Sequence, residues 1–340
     1  MKDAAATSSA AGGPRFVSAD ELRATLPIEM AVEALARGFM ARAGDELGGI
    51  PRNVLPVPDR EPGDEGELLL MPAFGPEGAG VKLVSIVRGN GARQLPLIQG
   101  LYVLLAPDGL TPELVIDGAA MTGIRTAAVS ALATSRLARA DSRHLVVFGA
   151  GTQASAHVEA MRAILPIDRV TIVGSSAGSA RAAELARALA GDGVRAAVGL
   201  PSAIAEADIV CTCTTSTEPV FDDRELPAGA HVNAIGAYRM DMCELPTASL
   251  ARALIVVESI EATLAEAGDV ARAIDAGALP ASGFAHELVE VLAGTVGRSE
   301  PEQITIFKSV GLAIEDLMLA RAVADTLAEK PSISRRSPAR

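Results

Sequence analysis

One stretch, Arg143-His-Leu-Val-Val-Phe-Gly-Ala-Gly-Thr-Gln-Ala154, restricts this chain more than any other. It opens polar, becomes a short apolar run from Leu145 to Phe148, and turns through Gly149-Ala150-Gly151. A helical pattern follows at once. Strand, glycine turn and helix in that order are the context a dinucleotide fingerprint requires. Gly149 permits the tight turn, Gly151 lets a pyrophosphate approach the backbone, and Ala154 lets the helix lie close on the strand. The N–H groups of Thr152 and Gln153 then sit at a helix N-terminus, where partial positive charge favours phosphate. A lone GxGxxA says little, because a cofactor-free α/β domain can carry the same turn. Its weight comes from the segments around it.

Those segments alternate. Helix 152–164, strand 169–173, helix 178–190, strand 194–198, a short helix near 202–206 and strand 208–213 follow in turn. Strands at 230–235, 253–257 and 303–307 extend the series. This rhythm predicts a Rossmann-type, doubly wound parallel sheet. The region before it reads differently. Ser18 is placed to cap a first helix. Pro27 opens a second, with Ile28, Val32, Leu35, Phe39 and Met40 on one face, broken at 44–49. Residues 50–55 are extended by flanking prolines. Apolar strands near 67–74, 79–87 and 98–106 lead through a turn at 107–109 to a hairpin partner at 111–116. A long helix at 122–140 joins the two regions, and a final helix at 310–330 is expected to return to the first. The expectation is a discontinuous, strand-rich α+β substrate and dimerisation domain (1–121 plus 309–340). The dinucleotide domain (122–308) would be inserted in it. Residues 1–14 read as a flexible leader and 331–340 as a loose basic tail.

Composition narrows the function classes. The net charge of −12 argues against nucleic acid as the main partner. No uninterrupted apolar run approaches the ~18 residues that span a membrane. Cys211, Cys213 and Cys243 are too few for a disulfide scaffold, and the four histidines form no ligand pattern, so no metal site is expected. A reduced, cytoplasmic setting follows.

The second strand ends Ile172-Val-Gly-Ser-Ser176, where an NAD site would carry an acid for the ribose 2′-OH. With none present, a 2′-phosphate is not repelled, and Ser175, Ser176 and Arg181 can bind it. This favours NADP(H), with NAD(H) still possible. Alternatively the serines cap the helix starting near Ala177. Thr214 and Thr215 fall at the carboxyl edge of the sheet, where ligands bind in such folds.

Several stretches resemble the ornithine cyclodeaminase/μ-crystallin family. They are Val81-Lys-Leu-Val84, Thr122-Gly-Ile-Arg-Thr-Ala-Ala-Val-Ser-Ala-Leu-Ala-Thr134, Phe148-Gly-Ala-Gly-Thr-Gln-Ala154, Ala207-Asp-Ile-Val-Cys-Thr212, Val232-Asn-Ala-Ile-Gly-Ala237 and Ile304-Thr-Ile-Phe-Lys-Ser-Val-Gly311. The match runs in order over about 16–327. The resemblance implies a nicotinamide enzyme acting on amino or imino acids, and a homodimer built through the strand-rich domain. Arg52, Lys82 and Arg125 match the family's carboxylate-binding positions, and Thr126 a cofactor-phosphate contact. Gly236, Tyr238, Ser309 and Gly311 are expected beside the cofactor on the same grounds. Fixed cations suit carboxylate capture, and Lys82 can also donate a proton or polarise an imine. In isolation, Lys82 reads as a strand lysine facing solvent and Arg125 as a surface helix arginine.

The informative departure is Gly236-Ala-Tyr-Arg-Met-Asp-Met-Cys-Glu-Leu245. Cyclodeaminases of the family carry an aspartate where this chain has Tyr238, and a tyrosine with a pKa near ~10 is a poor substitute base. Ketimine reductases also lack that acid, and reductases of cyclic imino acids have a similar Met-Cys-Glu-Leu ending. The expected activity is therefore NAD(P)H-dependent reduction of a cyclic imino acid or ketimine, giving proline or pipecolate. The alternatives are an ornithine or lysine cyclodeaminase with Asp241 or Glu244 in the missing role, an alanine-type dehydrogenase, or a crystallin-like binding protein without catalysis.

Overall fold

The computed structural model describes residues 13–42, 48–58, 66–176, 178–191 and 193–329. Most of the expected leader, the tail at 331–340, Ala177 and most of the break at 44–49 lie outside the described residues.

The first region opens with β1 (Arg15–Val17), α1 (Ala19–Thr25) and α2 (Ile28–Arg42). Ser18 caps α1 by accepting from the Glu21 N–H, as its position predicts. Then come β2 (Gly48–Gly49), β3 (Asn53–Val57), β4 (Gly66–Gly75), β5 (Gly78–Val87), β6 (Ile98–Leu105) and β7 (Pro112–Asp117). They form one sheet in the order β1-β7-β6-β5-β4-β2, with β3 also paired to β4. Only β1 runs parallel to its neighbour; the rest pair antiparallel. Burial alternates along β5, with Gly80, Lys82 and Val84 on the inner face.

The second region begins with α3 (Gly118–Leu137), then β8 (His144–Phe148), α4 (Thr152–Ile164), β9 (Arg169–Val173), α5 (Ala180–Leu189), β10 (Arg195–Gly199), β11 (Ile209–Thr212) and β12 (His231–Ala234). It continues through α6 (Thr247–Ala251), β13 (Leu254–Val257), α7 (Ile260–Glu266), α8 (Gly268–Asp275), β14 (His286–Glu287), α9 (Leu288–Leu292) and β15 (Thr305–Lys308). The eight strands pair in parallel in the order β10-β9-β8-β11-β12-β15-β13-β14. Leu145 and Val147 face α4 and α5, while Val146 and Phe148 face Leu250 and Val270. This is the doubly wound α/β sheet that the alternation predicts. The last helix, α10 (Ala313–Glu329), lies on β4, β5 and β6 beside α2, where Leu317, Met318 and Leu319 join Leu35, Phe39 and Tyr102 in one core. No helix among the described residues is long and apolar enough to cross a membrane.

Several boundaries move for local reasons. Helix α3 starts at Gly118 rather than 122, because Asp117 accepts the Ala120 N–H at 2.8 Å. Helix α5 is capped by Ser179, not by Ser175 or Ser176, whose side chains are exposed. Helix α10 starts at Ala313 rather than 310. The Val310 and Gly311 N–H groups donate to Glu258, and Gly311 sits at φ +80°. Met40, read onto the inner face of α2, is 46% exposed. The helices α6 to α9 and the short strand β14 carry no signal strong enough to place them beforehand.

Helix α3 is tied to the second sheet through polar groups. Thr126, Ser130 and Thr134 each donate to the carbonyl four residues back, forming a hydroxyl stripe. The Ser130 hydroxyl meets His157 at 2.9 Å, and Thr134 meets His231 at 3.1 Å and Asn233 at 2.9 Å. Burial lowers His157 to about 4 and His231 to about 3, so both are neutral in the fold. The unfolded chain, with histidines near ~6.5, binds more protons below that pH. These two groups therefore stabilise the fold fully above pH ~6.5 and lose that contribution as pH falls. Replacing His231 by Gln is expected to flatten the slope of stability against pH between 6 and 4 by up to ~1.4 kcal/mol per unit. Urea denaturation at stepped pH checks this, and an unchanged slope would contradict the assignment.

Candidate active site

The inner faces of the first sheet, α3 and the carboxyl ends of the second sheet enclose a cavity of about 930 Å³, open mouth included. Arg52, Lys82, Arg125, Thr126, Gln153, Thr214, Gly236, Tyr238 and Ser309 all line it. The wall from the first sheet and the turn before β6 is apolar: Leu69, Met71, Val84, Ile86, Leu97 and Ile98. Three cations from β5, α3 and the segment before β3 thus share one hollow.

None of these cations is loose. Lys82 is 1% exposed, and its Nζ lies 2.8 and 3.1 Å from the two carboxylate oxygens of Asp316. Arg125 donates to Glu315 at 3.0 Å, and its Nε lies 3.7 Å from Asp316. Arg52 pairs with Glu266 at 2.7 Å, donates to the Val310 and Gly311 carbonyls, and stands 5.8 Å over the Tyr238 ring. Burial pulls the Lys82 ammonium down to about 8, against the attraction of Asp316. Burial also opposes the Arg125 charge, but Glu315, Asp316 and Glu258 raise its pKa above the ordinary value. Glu315 is pushed well above the usual carboxylate range by burial and by Glu258, to which it is hydrogen-bonded.

The glycine turn lies just outside this hollow. Gly149 sits at φ +109°, and a Cβ there would meet the Cys213 carbonyl at 2.5 Å. Its N–H donates to Val173 at 2.8 Å, so the turn adjoins the end of β9 and thus Ser175 and Ser176. Gly151 is the N-cap of α4 without a side-chain cap, and a Cβ on it would meet nothing within 4 Å. Uncapped N–H groups facing open space suit a pyrophosphate. Ala150 completes the turn. Thr152 faces a separate shallow hollow with Ile28 and Gly123. Gly311 lies against Arg125, since a Cβ there would sit 2.1 Å from its guanidinium.

The two acids considered as substitutes for the missing aspartate are occupied elsewhere. Asp241 is exposed and paired with Arg239 at 2.6 Å. Glu244 is fully buried and accepts from the Thr212 hydroxyl, the Thr214 N–H and hydroxyl, and the Gly236 and Ala237 N–H groups. Burial raises its carboxyl, while Lys308 and Thr214 pull it back. It welds the loops after β11 and β12 together. Gly236 has to be glycine, since a Cβ would meet the Thr214 carbonyl at 2.1 Å. Lys308 and Asp269 extend the weld at 3.1 Å, and Asp269 accepts the Glu244 and Leu245 N–H groups.

Sequence reasoning missed the carboxylates that hold the cations: Glu258, Glu266, Glu315 and Asp316. Glu315 and Asp316 did leave a trace. They are adjacent acids inside a helical run whose neighbours Ile314, Leu317, Met318 and Leu319 are all apolar, and such a pair is buried only with partners.

Fold and site together define a class: a Rossmann-type α/β protein whose sheet edge faces a cation-lined hollow on a second, antiparallel sheet. The chain belongs to the ornithine cyclodeaminase/mu-crystallin family, whose family model matches residues 16–331. It is 35% identical to the Delta(1)-pyrroline-2-carboxylate reductase of Paracoccus denitrificans, over 93% of this chain and 98% of that protein. It is 33% identical to the ketimine reductase mu-crystallin of Rattus norvegicus, over 92% and 97%. The structure of Thermococcus litoralis Delta(1)-pyrroline-2-carboxylate reductase in complex with NADH and L-proline superposes with a TM-score of 0.84 at 29% identity. That match covers 93% of this chain and 98% of the other. An archaeal alanine dehydrogenase dimer with bound NAD gives the same score and identity, over 93% and 97%.

Replacing Glu244 by Gln puts an amide N–H₂ among N–H and O–H donors. The expected cost is about 2–3 kcal/mol of stability, with weaker nucleotide binding, read by urea denaturation and by fluorescence titration with the reduced dinucleotide. Wild-type values for both would remove Glu244 from this role.

Proposed function

We propose that the protein is an NAD(P)H-dependent reductase of cyclic imino acids, taking Δ1-pyrroline-2-carboxylate or Δ1-piperideine-2-carboxylate to proline or pipecolate. The observation that carries this reading is the meeting of Arg52, Lys82 and Arg125 in one cavity beside Gln153 and Thr214. The activities named for the reductases of Paracoccus denitrificans and Thermococcus litoralis support it.

A dinucleotide would be held by the Gly149–Gly151 turn and the start of α4, with Thr126 on its phosphates and Thr214, Gly236, Tyr238, Ser309 and Gly311 toward its nicotinamide end. When bound, it supplies the hydride. Arg52 and Arg125 anchor the substrate carboxylate, and the rigid loops around them orient the C=N bond. Lys82 carries the proton for the imine nitrogen. Leu69, Met71, Val84 and Ile86 take the carbon skeleton and keep water away from the reacting centre. A cyclodeaminase needs an acid beside the substrate amine. Tyr238 stands there instead, and Asp241 and Glu244 are engaged elsewhere, so this second reading lacks its proton handler.

We further infer that NADP(H) is preferred, since β9 ends without a carboxylate and leaves Ser175 and Ser176 exposed. We read the domain division as 1–121 with 309–340, and 122–308 between them. The protein is read as a cytoplasmic homodimer. Its first region exposes Phe16, Ile50, Val54, Leu55, Val57 and Phe74, an apolar surface suited to a second copy.

Absorbance at the reduced-nicotinamide band, with each imino acid offered, tests the reading. Turnover is expected with at least one of the two, and none with either would overturn it. Arg52→Ala is expected to raise KM about 10- to 100-fold, the ~1.5–3 kcal/mol of a charge-assisted hydrogen bond. Ser175→Asp is expected to cut kcat/KM for NADPH at least ~10-fold while sparing NADH, through charge repulsion at the 2′-phosphate.

A further inference from the structure

We propose that Asp316 is a positioning residue that holds Lys82 as a charged, aimed ammonium, and so decides over which pH range the cleft can deliver a proton. The proposal deepens the imine-reductase reading and rests on it. Three observations converge on Asp316. Both of its carboxylate oxygens lie against the Lys82 Nζ, at 2.8 and 3.1 Å. It is 0% exposed, so nothing but protein balances its charge. It also reaches Arg125 Nε at 3.7 Å and thereby couples the proton carrier to the carboxylate anchor.

The neighbours of Lys82 leave Asp316 as its partner. From α10 come Asp316 and Glu315, but Glu315 is directed to Arg125 and Glu258. From α3 comes Arg125, and from the segment before β3 comes Arg52; both repel the ammonium. From β6 comes Tyr102, the cross-strand partner of Lys82. Its buried hydroxyl has no hydrogen-bond partner, and burial together with Asp316 raises its pKa, so it stays neutral. Lys82 thus faces two cations and one carboxylate at a buried position, and loss of that carboxylate would favour the neutral amine.

The chemistry balances with a reduced nicotinamide dinucleotide as hydride source. Hydride forms the new C–H bond as the C=N π bond breaks. The nitrogen takes a proton from Lys82 Nζ, leaving a neutral amine that regains its proton from water. Asp316 remains a carboxylate throughout and touches no reacting atom.

With burial and Asp316 together the Lys82 pKa is about 8, so kcat should fall as pH rises through that value. In Asp316→Asn the fall should come about 1–2 pH units earlier, with kcat at pH 8 reduced ~5- to 50-fold and KM for the imino acid changed far less. Asp316→Glu keeps the charge and should restore the inflection toward its wild-type position. A second readout needs no turnover. The chain has four lysines, Lys2, Lys82, Lys308 and Lys330, so 13Cε-lysine labelling resolves Lys82 by NMR. Its titration should move down in Asp316→Asn, while the signal of Lys308, paired with Asp269, stays in place. A Lys82 titration that does not move, or a kcat loss without a shift in its pH profile, overturns the proposal. If Asp316→Asn fails to fold, the Asp316→Glu enzyme decides: an inflection near the wild-type position is expected, and one about 1–2 pH units lower overturns the proposal. A wild-type protein that reduces no imino acid would defeat the functional reading instead, and the NMR titration would still test the Asp316–Lys82 pairing.

Discussion

Charge taken out of water is the constraint the rest of this structure answers to. Lys82 and Arg125 are almost wholly buried, and an isolated buried cation is strongly destabilising. The answer is a set of equally buried carboxylates, Glu315 and Asp316 on α10 with Glu258 after β13. This is why α10 belongs on the first sheet. Its apolar residues Leu317, Met318 and Leu319 build the core there, and that packing carries its two acids to the cations. Packing and the pairing of Lys82 and Arg125 thus come from one helix.

The same economy holds at the carboxyl edge of the second sheet. The loops after β11 and β12 would leave N–H groups without partners, and Glu244 accepts from five donors on Thr212, Thr214, Gly236 and Ala237. Asp269 and Lys308 then tie those loops to the last strand. An acid that a reader of the sequence assigns to chemistry is instead part of the frame. Tyr238, which replaces an acid, lies beneath the Arg52 guanidinium. A neutral ring there adds no second acid beside Glu266, with which Arg52 already pairs at 2.7 Å.

The hydroxyl stripe on α3 shows how the two regions are held in register. Thr122 and Thr126 line the cavity, while Ser130 and Thr134 engage His157, His231 and Asn233 under the sheet. One helix therefore sets the distance between the cationic hollow and the glycine turn. In the sequence it reads as an Ala- and Leu-rich connector, because hydroxyls four residues apart carry no meaning until the opposing histidines are known.

Resemblance to a family singled out Arg52, Lys82 and Arg125, while short-range pattern by itself was enough for the parallel sheet, the glycine turn and the Ser18 cap. Such features follow from periodicities of two and 3.6 residues and from backbone freedom at single glycines. Only the tertiary structure decided which acids meet which cations, that Glu244 braces loops, that Ser179 rather than Ser175 or Ser176 caps α5, and that Lys82 is buried instead of solvated. Those outcomes join residues up to 234 positions apart. Electrostatic energy depends on distance and burial in space, and neither is written in the spacing along the chain.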